Sequence, residues 1–298
     1  MTDRLQRAFS GSGLSAARLW LVLLCTLALT VSAPAAIAAA VLDGWGRQVT
    51  LEGPAERVVT LAPHLAEVMF TLDAGEQLVA TVSHSDYPAA ARELPRIGDA
   101  FNLSLEALLA QSPDLVLAWS ATMNPARLAR MEALGLQVFV SDPTDLEAVL
   151  AEMAAVATLV GRPQASALTQ LRTRMDGHET AAPPAPQVLP LIAAEPLLSV
   201  GEGHFLNDLL RRCGGVNPFA GAVRRDAVVQ LSREALLDQE LDLVVNLTRA
   251  SLPASLRLPA GTAVIELDPD LLVRPGPRMV EGLKQLCRAV AARGSESD

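Results

Sequence analysis

Short runs without a polar face alternate along this chain with stretches in which apolar residues recur every three to four positions. The runs at 57–62, 78–82, 115–119 and 138–140 predict strands buried on both sides, because a half-exposed strand would alternate. The amphipathic stretches predict helices over 65–72 and 125–134, the latter stopped by Gly135. Strand and helix in alternation predict a parallel sheet covered by helices. Residues 145–160 and 164–175, separated by Gly161-Arg162-Pro163, predict two more helices. The Pro-rich stretch 180–190 marks a boundary, after which strands at 188–193 and 263–267 and helices at 205–212 and 279–292 resume the pattern. The loop 268–277 lies between the last two. Before the first sheet, Asp43–Arg47 predicts a turn between strand-like flanks within 41–51.

One unit occurs twice. Ser104-Leu-Glu-Ala-Leu-Leu-Ala-Gln-Ser-Pro-Asp-Leu-Val-Leu117 returns as Ser232-Arg-Glu-Ala-Leu-Leu-Asp-Gln-Glu-Leu-Asp-Leu-Val-Val245, with nine of fourteen positions identical at an offset of 128. Each copy predicts a Ser-capped helix, with a carboxylate in its first turn, that leads through Asp into an apolar strand. A long period used twice is no solenoid; it predicts two related lobes facing each other across a cleft. Glu106 and Glu234 are then equivalent.

The first forty residues stand apart. Arg4, Arg7 and Arg18 precede the apolar run 19–31, and small residues lead to Ala38-Ala39-Ala40, the pattern of a cleaved secretory signal rather than a membrane span. The expected organisation is a signal at 1–40, a first lobe at 41–144, connecting helices at 145–180 and a second lobe at 181–298. Without three Arg and one Asp of the leader, 21 basic residues face 32 acidic ones, a net charge of −11. That balance excludes nucleic acid and anionic lipid as partners and suits docking to a basic protein surface. Two cysteines remain, Cys213 and Cys287. An oxidising compartment predicts that they pair, and two separate buried thiols are the alternative.

No catalytic constellation emerges: there is no Gly-x-Ser-x-Gly, and Gly201-Glu-Gly203 lacks the dinucleotide-binding context. The four histidines have no metal-ligand spacing; His64 with Glu67 at i,i+3 reads as cleft lining or an exposed pair sooner than as a metal site. Loops after parallel strands are where such sheets bind ligands. Here they carry His64, Tyr87, Trp119, Asp270 and Arg274. The chain has ten aromatic residues, and its only Tyr falls at a strand end together with one Trp, where a planar or corrinoid-like ligand would stack.

The order Val49-Thr-Leu-x-x-Pro-Ala-x-Arg-Val-Val-x-Leu-x-Pro-x-x-x-Glu67, then Ser85-Asp-Tyr-Pro88, Glu106-Ala-Leu-Leu with Pro113-Asp-Leu-Val116, Cys213-Gly-Gly215 and Arg274-x-x-Pro-Arg278, resembles the periplasmic binding proteins of cobalamin, haem and ferric-siderophore ABC importers. The resemblance covers the whole mature chain and is nearest to the cobalamin branch. It implies two α/β lobes with mainly parallel sheets, joined by a single long rigid helix, and a ligand cleft that closes little. It implies a monomer in the periplasm that does no chemistry, holds a corrinoid as ligand with no cofactor of its own, and docks on an ABC permease dimer. A haem or siderophore ligand is the alternative, and a secreted enzyme using the same cleft is the reading from another class. By position the resemblance assigns Tyr87, Trp119, Asp270 and Arg274 to the ligand; Phe101, beside a position where the cobalamin branch has a tryptophan, and His64, read above as cleft lining, are the further candidates. It assigns Glu106 and Glu234, on surfaces away from the ligand loops, to arginine pockets of the permease, and it implies a Cys213–Cys287 bridge. Where the cobalamin branch has tryptophans this chain has Ala100 and Val228, and Arg224 and Arg225 are the cleft arginines a siderophore would need.

Overall fold

The computed structural model describes residues 39–99, 102–176, 185–222 and 227–294. A hairpin, β1 (Ala39–Leu42) and β2 (Gln48–Leu51), opens it, so Ala39 and Ala40 of the expected leader pair with Leu51 and Thr50. The Asp43 carboxylate closes its turn, accepting from the backbone N–H of Trp45 and Arg47 at 3.0 and 2.8 Å.

The first sheet has the order β4-β3-β5-β6 and is wholly parallel: β3 (Val58–Thr60), β4 (Leu78–Ala80), β5 (Leu115–Trp119) and β6 (Val138–Ser141). Every residue of β3 and β6 is buried, which is why these strands read as unbroken apolar runs. Three helices fill the crossovers: α1 (Pro63–Thr71), α2 (Leu105–Ala110) and α3 (Pro125–Ala133).

The connection between lobes is α4 (Leu146–Leu159) followed by α5 (Ser166–Asp176), so the single long helix implied by the resemblance is corrected to two. The break is written in the residues between them. Gly161 takes φ +74°, and the N–H groups of Gly161 and Arg162 donate to the carbonyls of Thr158 and Ala157 at 3.2 and 2.6 Å. This is a glycine-terminated helix end, and Pro163 cannot resume the ladder.

The second sheet has the order β11-β10-β7-β8-β9. Its parallel strands are β7 (Val188–Ala194), β10 (Leu243–Asn246) and β11 (Ala263–Glu266). A returning strand, β8 (Leu197–Val200), is antiparallel to β7 and to β9 (Val228–Gln230), so β9 again runs with β7. Helices α6 (Leu206–Arg212), α7 (Arg233–Leu237), α8 (Pro269–Leu272) and α9 (Met279–Gly294) cover it. The disulfide Cys213–Cys287 ties the end of α6 to α9. One core runs through both lobes: Leu65, Leu117 and Phe139 of the first and Phe205, Leu243 and Leu272 of the second share it with Val149, Met153 and Val156 of α4. Continuous close packing of this kind transmits strain and leaves the lobes little freedom to hinge.

Candidate functional site

Both sheets turn their carboxyl edges toward the contact between lobes, where the topology of parallel sheets places ligand sites. On the first lobe, α1 starts directly after β3, with Pro63 at its first turn where the missing N–H costs nothing. That start puts His64 and Glu67 at the contact, with relative exposures of 0% and 3%. The loop after β4 is held by a buried hydroxyl chain in which Thr60 donates to Thr81 and Thr81 to Ser85, each at 2.8 Å. Arg96 also donates to the Ser85 carbonyl, at 3.0 Å, so the loop presents Tyr87 from a fixed base. On the second lobe, the segment after β11 delivers Asp270, Arg274 and Arg278. Gly276 lets it approach closely, since an added Cβ would lie 3.0 Å from the His64 Cβ.

The residues meet in a chain of charges across the lobes. Arg278 grips Glu67 with two hydrogen bonds, Nε to Oε2 at 2.8 Å and Nη2 to Oε1 at 2.7 Å, the fork geometry that makes Arg–carboxylate pairs strong. Arg274 lies 3.8 Å from the same carboxylate and 2.8 Å from Asp270, which also receives Arg249. The Arg278 guanidinium stacks over the Tyr87 ring with its carbon 4.5 Å from the centroid. The Glu67 carboxylate raises the Arg278 pKa further, through its hydrogen bonds first.

His64 stands edge-on to Trp119, ring centroids 5.0 Å apart at 83°. Neither ring nitrogen has a hydrogen-bond partner. Burial, helped by the nearby Arg274 charge, pushes the His64 pKa down to about 3, so the ring is neutral. Of the two readings of His64, cleft lining or exposure, the second is excluded: the second-lobe loop seals the ring. Tyr87 and Arg278 line a cavity of about 360 Å³ together with Leu171 and Arg174 of α5 and Leu271 of α8. His64, Trp119 and Asp270 belong instead to the surroundings of Glu67 and Arg274. Phe101, Ala100, Arg224 and Arg225 lie outside the described residues. Sequence reasoning missed Arg278 and Arg249 as site residues. The signal for Arg278 was its place in the Arg274-x-x-Pro-Arg278 motif, opposite a first-lobe carboxylate, and Arg249 carries none.

A second, half-buried acid lies at the same edge. Glu152 of α4 accepts from Ser141 Oγ at 2.5 Å and from the Asp142 N–H at 2.9 Å. Burial raises its pKa to about 7, with Asp142 and Asp43 adding repulsion and the two hydrogen bonds opposing the rise.

Glu106 and Glu234 are both exposed in the first turns of α2 and α7. Contrary to expectation, their helices begin on the ligand-loop side. The Ser104 N–H donates to the Ile97 carbonyl and the Ile97 N–H to that of Thr81, just beyond β4; Ser232 follows the carboxyl end of β9. Since β4 and β9 are edge strands, each glutamate lies at a margin of its own sheet's carboxyl edge.

Known proteins share this sequence pattern and this fold. The sequence profile of the periplasmic binding protein family matches residues 58–271. The chain belongs to that family. The vitamin B12-binding protein of Yersinia pestis is 31% identical over 255 residues, covering 80% of this chain and 87% of that one. Its counterpart from Vibrio cholerae is 28% identical over 246 residues, covering 78% and 88%. Among solved structures, the periplasmic vitamin B12 binding protein of Vibrio cholerae superposes with a TM-score of 0.66 at 24% identity, covering 81% and 98%. The periplasmic haem-binding protein of Roseiflexus sp. RS-1 also gives 0.66, at 26% identity, covering 80% and 99%. The family consists of periplasmic solute-binding proteins, not enzymes, and this chain is one of them.

Two measurements probe the contact. Replacing Glu67 with Gln leaves Arg278 without its counter-charge and is expected to cost about 3 kcal/mol of unfolding free energy in urea, the lower part of the range for breaking a buried pair. A loss below about 1 kcal/mol would mean that the pair does not hold the lobes. For Glu152 the folded pKa is raised, so its contribution is fully present below the unfolded value and is lost as pH rises through about 7. The stability of wild type relative to Glu152→Gln should therefore fall by about 3.5 kcal/mol between about pH 3.5 and pH 8, the pKa difference converted at about 1.4 kcal/mol per pH unit. A flat difference over that range would refute the assignment.

Proposed function

We propose that this protein captures a corrinoid, cobalamin, in the periplasm and hands it to an ABC importer without chemical change. The observation that carries the ligand choice is charge compensation. Arg249, Arg274 and Arg278 each have a carboxylate partner in Asp270 or Glu67. A corrinoid fringed by neutral amides needs hydrogen-bond partners but no counter-charge, whereas haem brings two carboxylates that would compete with Glu67 and Asp270. The vitamin B12-binding relatives support the same choice. Haem is the second reading, favoured by neighbours such as the Roseiflexus protein.

In this reading Tyr87, Trp119, Asp270 and Arg274, with Phe101 and His64, belong to the ligand zone of a cleft that closes little, and a corrinoid, a macrocycle too large for the 360 Å³ cavity beside Tyr87, lies across the contact between the lobes. Glu106 and Glu234 meet arginines of the permease dimer, residues 1–40 direct export, and the protein acts as a monomer. The visible absorption spectrum of protein isolated from its own periplasm, from cells supplied with cobalamin, should show corrinoid bands in about one-to-one ratio. A haem Soret band or a ferric catecholate band in their place would refute the ligand assignment.

A further inference from the structure

The two repeat helices share more than their glutamates. Ser104 Oγ accepts from the Ala107 N–H at 3.1 Å and Ser232 Oγ from that of Ala235 at 3.0 Å. Leu108 and Leu236 are both completely buried. The next residue in each copy is again leucine, and these two face water: Leu109 is 38% exposed and Leu237 49%. Capping uses the serine and packing uses the buried leucine; neither requires a large apolar side chain at the following position. Each exposed leucine lies three residues beyond its glutamate, which puts the pair on one face of the helix.

We propose that Leu109 and Leu237 are apolar anchors of the partner interface. The protein then presents two equivalent Glu–Leu pairs, at the outer margins of both carboxyl edges, to one partner with two-fold symmetry. That partner offers, twice, a cation beside an apolar recess. The equivalence of the pairs argues for a two-fold surface, because identical patches on one chain match identical sites on two subunits. Their charge argues against a second copy of this chain, which would set glutamate against glutamate in a protein whose mature form has net charge −11. An exposed leucine beside a charge that becomes desolvated on docking keeps water from the ion pair, the arrangement found around interface hot spots. This inference rests on the transport reading given above.

The test is uptake of radiolabelled cyanocobalamin by cells of the source organism that lack this gene and carry the full chain, wild type or variant, with cyanocobalamin affinity and sedimentation measured on each purified protein. Leu109→Asp and Leu237→Asp should each lower uptake by about tenfold, and to similar extents, as expected of interface hot spots. The double variant should lower it further, while affinity and monomeric mass stay as in wild type. Wild-type uptake in the double variant overturns the inference, as does a loss confined to one lobe. A wild-type dimer that the substitutions dissociate overturns it too, by making the occupant a second copy. No uptake with the wild-type chain itself refutes the transport reading, and the inference falls with it.

Discussion

Glu67 carries a negative charge to a place that water hardly reaches, and residues of the other lobe neutralise it. Removing such a charge from water is costly, and the cost is offset only by close, well-aligned partners. Arg278 supplies them in fork geometry, Arg274 adds its field, and Asp270 in turn holds Arg274 and Arg249. The rest of the site is arranged around this chain of charges. Gly276 brings the loop close enough for the arginine to reach, and the same approach buries His64 and keeps it neutral. Arg278, fixed by Glu67, lies across the ring of Tyr87. A contact zone whose guanidinium groups are already matched to carboxylates discriminates by shape and hydrogen bonding more than by charge.

The strands were readable in the sequence because burial on both faces removes the polar alternation, as at 115–119 and 138–140. The repeat made two lobes readable. The break between α4 and α5 was readable as well, in Gly161 and Pro163, and there the residues were a better guide than the resemblance, which implied one helix. Other features left no local trace. β8 and β9 are short and lie at the sheet's margin, where neither run length nor alternation distinguishes them from loop. Glu67 reads from sequence as a helix residue near His64; its partner stands 211 positions away, and a pair formed by tertiary packing has no periodicity. The position of Glu106 needed the hydrogen bonds from Ser104 and Ile97 to show that α2 begins at the carboxyl edge, and that of Glu234 needed the direction of β9.

Duplication and rigidity belong together in this molecule. The core shared through α4 and the paired charges at the contact fix one lobe against the other, so the margins that carry α2 and α7 keep a set spacing. The proposed docking on a two-fold partner would need that constancy more than a wide closing motion.

The central claim is that a rigid cleft with compensated charge selects an uncharged, amide-fringed macrocycle. Calorimetric titration of the purified mature protein, with cyanocobalamin in one series and hemin in the other, tests it most directly. The account predicts saturable one-to-one binding of cyanocobalamin and no saturable binding of hemin at the same concentrations. Saturation by hemin with no heat from cyanocobalamin would contradict it.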